Sequence, residues 1–141
     1  MTIINAAIIV AAGRGQRLGG EIPKQYLEVG GVPILRHTVD VFLKHSGIDY
    51  IQIIIHPDDQ ELYEAAVGDL DLPKPIYGGD TRQQSVLNGL EAIGDQMPEY
   101  VFIHDAARPF LDHSIINNLI KVVDVSGAVI PALKVTDTIK Y

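Results

Sequence analysis

The chain has 141 residues, 47% hydrophobic and 21% charged, with a net charge of −7 and no cysteine. That length suits one domain with a substantial core; the acidic balance argues against a nucleic-acid partner, and the missing cysteine excludes disulfides, thiolate metal sites and a cysteine nucleophile. No apolar stretch approaches the ~18 residues of a membrane span, and the N-terminal apolar run lacks a preceding basic region, so a cytoplasmic protein without a membrane partner is expected.

In chain order, AAIIVA (Ala6 to Ala11) reads as the first strand, continuous in Ile and Val as strands buried on both faces are. A glycine-rich loop follows, AAGRGQRLGGEIPKQYL, from Ala11 to Leu27. Residues 32–47 then have helical spacing: Ile34, Leu35, Thr38, Val39, Phe42 and Leu43 share one side, and Pro33 suits the first turn. YIQIII (Tyr50 to Ile55) is the second strand. Pro57, Asp58 and Asp59 open a helix over 56–68, where the dipole favours acids. Thr81 with Gln84 forms a capping-box pattern at the start of a helix over 81–94. YVFIH (Tyr100 to His104) is the third strand, and Asp112 caps a helix whose apolar stripe is Ile115, Ile116, Leu119, Ile120 and Val123. GAVIPAL (Gly127 to Leu133) reads as a fourth strand. Thr136, Thr138, Ile139 and Tyr141 alternate as if another strand were under way, so a C-terminal truncation is expected.

This alternation predicts an α/β fold with a doubly wound, mostly parallel sheet, in one domain over 1–141. Ligands then bind beyond the carboxyl ends of the strands, where the glycine loop begins. In that loop Arg14, Arg17 and Lys24 stand against Glu21 alone, so a polyanion such as a triphosphate is the natural guest. Gly13 and Gly15 allow close approach of backbone N–H groups. A dinucleotide fingerprint fails because Leu18 stands where glycine is needed and Pro23 follows; a P-loop fails for want of Gly-Lys-Ser/Thr. Two readings stay open on pattern alone: a nucleotide loop carrying its own catalytic cations, or a solvated glycine loop with incidental ones.

The loop resembles the signature of nucleotidyltransferases, Gly-x-Gly-x-Arg followed by Pro-Lys. Together with GGDTRQQSVLNGL (Gly78 to Leu90), HDAARPF (His104 to Phe110) and VTDTIKY at the end, it resembles the 2-C-methyl-D-erythritol 4-phosphate cytidylyltransferase family, with the motifs in that family's order. The resemblance implies a Rossmann-like nucleotidyltransferase fold, CTP and a polyol phosphate as partners, Mg2+ as cofactor, and a homodimer when full length. It implies that Arg17 and Lys24 stabilise charge on the α-phosphate, which agrees with phosphoryl transfer as positioning plus cations. Ala11, Ala12, Gly13, Arg14 and Gly15 would wrap the nucleotide by backbone contacts. Gly79 and Asp80 would meet the cytosine base, Ser85 would bond the nucleotide, and Ala106 would touch it. The plainer readings are a further helix cap for Asp80 and an ordinary first-turn residue for Ser85.

Asp105 would hold magnesium or bond the substrate, and Arg108 would face the substrate phosphate or pair with Asp105. His104 reads as support. Thr138 matches a threonine beside the polyol phosphate, at the root of a dimer arm; members of the family continue past that point, and some are fused to a later enzyme of the pathway. Ribitol-5-phosphate cytidylyltransferase is the nearest alternative, with AAG and HDAAR leaning to the methylerythritol group. A catalytically silent CTP-binding fragment is the alternative of another class.

Overall fold

The computed structural model describes residues 5–14 and 21–136. Two compact units divide the chain, Met1–Leu111 and Asp112–Tyr141. In the first, a four-stranded sheet has the order β5-β4-β1-β6, formed by β1 (Asn5–Ala11), β4 (Tyr50–Ile55), β5 (Ile76–Tyr77) and β6 (Tyr100–Asp105). Every pairing in it is parallel: β1 runs beside β4 from Ala6↔Tyr50 to Ala11↔Ile55 and beside β6 from Asn5↔Tyr100 to Val10↔Asp105, and β4 pairs β5 at Ile54↔Ile76. The chain moves from β1 through β4 to β5 on one side, then crosses to β6 on the other. That reversal puts a switch point at the carboxyl end of β1, where open α/β sheets bind ligands.

Helices cover both faces. α3 (Arg82–Ala92) lies over β1, β4 and β5, on the face where Ala6, Ile8, Ile54 and Ile93 are buried and Val10, Ala12, Tyr50 and Val101 pack around them. α1 (Ile34–Leu43) buries Ile34, Leu35, Thr38, Val39 and Phe42 and packs on β1 and on α2 (Gln60–Val67). The Phe42 ring meets His104 of β6 at 5.3 Å between centroids. These are the expected doubly wound layers, and β1, central in the sheet, has Ala6, Ala7, Ile8 and Ile9 at zero exposure.

Local details depart from the sequence reading. Residues 28–33 form a small antiparallel hairpin, β2 (Glu28–Val29) and β3 (Val32–Pro33). Gly30 and Gly31, at φ 63° and 77°, supply the two positive-φ positions that the tightest hairpin turn needs. Helix α1 therefore begins at Ile34, and Pro33 precedes it as cap instead of lying within its first turn. Pro57–Asp59 is a separate 3-10 turn ahead of α2.

In the second unit, α4 (His113–Ser126) begins at the expected cap, with the Ser114 N–H donating to Asp112 Oδ1 at 2.6 Å. It ends on Gly127 at φ 74°, whose N–H donates to the Val123 carbonyl. The strand expected over Gly127 to Leu133 does not form: residues 127–136 have no regular structure, and Ile130 and Leu133 are 83% and 95% exposed. A strand is held by its ladder, and no described residue pairs with this segment; Pro131 removes one of its donors. Of the further strand expected at the end, residues 137–141 lie outside the described residues.

Candidate functional site

Three loops leave the sheet at its carboxyl edge. The first follows β1. Gln25, buried, reaches across it and donates from Nε2 to the carbonyls of Ala11 (2.6 Å) and Gly13 (3.0 Å). Gln25 belongs to the 3-10 turn Lys24–Tyr26, which starts after Pro23 and closes with Tyr26 N–H on the Pro23 carbonyl and Leu27 N–H on that of Lys24. Gln25 and Tyr26 are buried, while Lys24 between Pro23 and Gln25 is exposed. Lys24 is thus a solvent-facing cation on an anchored turn.

Arg14, expected to contribute backbone contacts, also has a fixed side chain. Its guanidinium donates from Nη1 to Asp59 Oδ1 and from Nη2 to Asp58 Oδ2, both at 2.9 Å, and from Nη2 to His56 Nδ1 at 2.6 Å. Since arginine cannot accept, His56 Nδ1 must, and it accepts from the Asp58 N–H as well. Asp59 is 1% exposed, and its second oxygen, Oδ2, is buried with no hydrogen-bond partner among the described residues, as is the Tyr26 hydroxyl. Burial raises the Asp59 carboxyl above its ordinary value, with the Arg14 guanidinium opposing. Burial, then the charge of Asp59, pushes the Tyr26 phenol up as well.

The second loop follows β5. Gly78 donates its N–H to the Ile55 carbonyl and lies against the first loop: a Cβ there would come within 2.5 Å of Ala12 Cβ and 2.6 Å of Ser85 Oγ. Only glycine permits this approach. Ser85 is buried, and its hydroxyl accepts from Gly79 N–H (3.2 Å) and donates to the Thr81 carbonyl (3.0 Å). It is engaged within the protein and shapes the Gly79 loop. Thr81 is the cap of α3, accepting from Gln84 N–H at 3.0 Å, while the Gln84 side chain bonds Asn88 instead of returning to the cap. Asp80 is exposed beside it.

The third loop follows β6. Asp105 is gripped from two sides: Arg82 donates to Oδ1 from Nε (3.1 Å) and Nη2 (3.0 Å), and Arg108 Nε stands 3.1 Å from Oδ2. Of the two roles open for Arg108, pairing with Asp105 is the one this geometry takes. Ala106, buried, donates its N–H to the Val10 carbonyl at 3.0 Å and accepts from Thr38 Oγ1 at 2.7 Å. His104 Nε2 lies 2.9 Å from the Arg108 carbonyl, which makes it a donor and a support for the loop. Both Asp105 oxygens are committed to arginines, and among the described residues no group of three His, Cys, Asp or Glu could hold a metal ion. The donor set does not fit a resident metal.

Gly78 meets Ala12, Ala106 hangs from Val10, and Arg82 bridges to Asp105, so three motifs separated in sequence meet at one edge. Arg17, Gly15 and Thr138 lie outside the described residues. Gln25, Arg82 and Thr38 were not among the expected site residues. Arg82 lies within the GGDTRQQS segment, but its bond to Asp105, 23 residues away, leaves no local signal, and nothing in the sequence singles out Gln25.

The family model described as 2-C-methyl-D-erythritol 4-phosphate cytidylyltransferase matches residues 5–141. The chain belongs to that family. It is 49% identical over 136 residues to a bifunctional enzyme IspD/IspF of Rhodospirillum rubrum, covering 96% of this chain and 35% of the relative. Among solved structures, the bifunctional IspDF of Campylobacter jejuni is similar with a TM-score of 0.80 at 26% identity, covering 98% of this chain and 35% of that one. The 4-diphosphocytidyl-2C-methyl-D-erythritol synthase of Anaerococcus prevotii is similar with a TM-score of 0.73 at 32% identity, covering 88% and 52%. The chain spans about a third of the length of the curated relatives it matches. The family's mostly parallel nucleotidyltransferase sheet is the one found here, and the three loops at its carboxyl edge are this member's candidate site.

Proposed function

We propose that this chain is the nucleotide-binding part of a cytidylyltransferase of non-mevalonate isoprenoid biosynthesis. The 4-phosphate oxygen of 2-C-methyl-D-erythritol 4-phosphate attacks the α-phosphorus of CTP in line. The bond from that phosphorus to the bridging oxygen breaks, pyrophosphate leaves, and 4-diphosphocytidyl-2-C-methyl-D-erythritol forms. The observation that carries the reading is the convergence of the family's motifs at the carboxyl edge, with Gly78 against Ala12 and Ala106 hung from Val10.

In this reading the loop from Ala11 through Gly15 receives the nucleotide, and Gly79 and Asp80 meet the base, with Ser85 beneath them. Lys24 and Arg17 oppose the charge that builds on the α-phosphate, the task for which positioned cations are most effective. Ala106 lies beside the nucleotide, Asp105 and Thr138 serve the polyol phosphate, and Arg108 supports that end of the site by pairing with Asp105. A divalent ion, Mg2+, would arrive with the triphosphate as part of the substrate, since magnesium is commonly held by substrate phosphates and few protein groups. We place the protein in the cytoplasm, as a homodimer when full length; no described helix is long and apolar enough to cross a membrane.

Lys24 gives the sharpest test. In the natural full-length protein Lys24→Ala should lower pyrophosphate release about 10²–10³-fold, as loss of one charge-stabilising donor does elsewhere, with the melting temperature nearly unchanged because Lys24 is exposed. Activity that survives the substitution removes Lys24 from the chemistry.

A further inference from the structure

Gln25 is a buried polar side chain in the candidate site that the roles above leave unused. Both hydrogens that its amide can donate are accounted for, one on the Ala11 carbonyl at 2.6 Å and one on that of Gly13 at 3.0 Å. Its acceptors are in the glycine loop, and its own backbone is the middle of the turn that carries Lys24. A single buried amide therefore ties the turn bearing a proposed cation to the loop proposed to hold the nucleotide.

The bonds also orient that loop. In a planar trans peptide the carbonyl and the following N–H point in opposite directions. Drawing the Ala11 and Gly13 carbonyls toward Gln25 directs the Ala12 and Arg14 N–H groups away from it. The second anchor of this segment is independent: the Arg14 side chain is held by Asp58 and Asp59.

We infer that Gln25 is a positioning residue for nucleotidyl transfer, holding Lys24 and the glycine loop over residues 11–14 in fixed relation. The inference rests on the cytidylyltransferase reading and adds a residue to it. Gln25 touches no reacting atom; it acts through Lys24 and the loop. A displacement on the order of 1 Å at such a site can cost about a hundredfold in rate.

The test uses the natural full-length protein and pyrophosphate release from CTP with methylerythritol phosphate. Gln25→Glu keeps the shape and replaces the donor by an acceptor facing two carbonyls; Gln25→Met keeps the length without any donor. Each should lower kcat about tenfold to a hundredfold. In a Lys24→Ala background the same substitutions should cost less than about threefold, because residues acting as one unit are not additive. Equal losses in both backgrounds would make Gln25 merely structural and overturn the inference, as would kcat within threefold of wild type, or failure of both variants to fold. A wild-type protein that releases no pyrophosphate is a different result: it removes the cytidylyltransferase reading itself.

Discussion

Arg14 divides its guanidinium among Asp58, Asp59 and His56, and the partner that matters most is Asp59. A carboxylate at 1% exposure with one orphaned oxygen cannot be left without a cation cheaply. Arg14→Ala should destabilise the protein by about 1–3 kcal/mol, and adding Asp59→Asn should recover most of that loss, since the charge needing compensation is gone. Chemical denaturation of the two variants checks this; a double variant as unstable as the single one would show that the ion pair is not the cause. The raised Asp59 carboxyl also has a signature in pH. The folded state binds this proton more tightly than the unfolded state does. Its contribution to stability is therefore greatest at low pH and falls as pH rises from the ordinary aspartate range through the raised folded value. Asp59→Asn should flatten that part of the melting profile, and an unchanged slope would contradict the assignment.

At the scale of elements, Gly89 sets how closely α3 lies on the sheet. A Cβ there would collide with Ile54 Cδ1 and come within 3.1 Å of Ile8 Cγ2, both fully buried. Alanine is worth up to about 1 kcal/mol more than glycine inside a helix, but overpacking a filled core costs about 1–3 kcal/mol. Gly89→Ala should be net destabilising by about 1 kcal/mol; a stabilised variant would contradict this packing.

The elements legible in the sequence were those with strong periodicity. β1, β4 and β6 are continuous apolar runs, and Thr81 and Asp112 cap their helices where composition indicates. The two-residue strand β5 and the hairpin around Gly30–Gly31 are too short for a period to show. Gly127 to Leu133 has strand composition without a ladder, and composition cannot supply a partner. The same limit holds in the site. Motif residues were readable, but Gln25 on the Ala11 carbonyl and Arg82 on Asp105 are long-range bonds with no local signal.

For the whole molecule, a net charge of −7 repels polyanions in general, so any nucleotide must be held by local arrangement. Cations and oriented backbone are concentrated at one edge: Lys24, Arg82, Arg108 and the loop over residues 11–14. The chain spans about a third of its bifunctional relatives, and the polyol phosphate is the proposed substrate for which the described residues supply least. The central claim is therefore tested most directly by pyrophosphate release from CTP in the natural full-length protein, measured with 2-C-methyl-D-erythritol 4-phosphate, with ribitol 5-phosphate and with neither. The account predicts release with methylerythritol phosphate and little with the other two; equal release in all three, or faster release with ribitol phosphate, would contradict it.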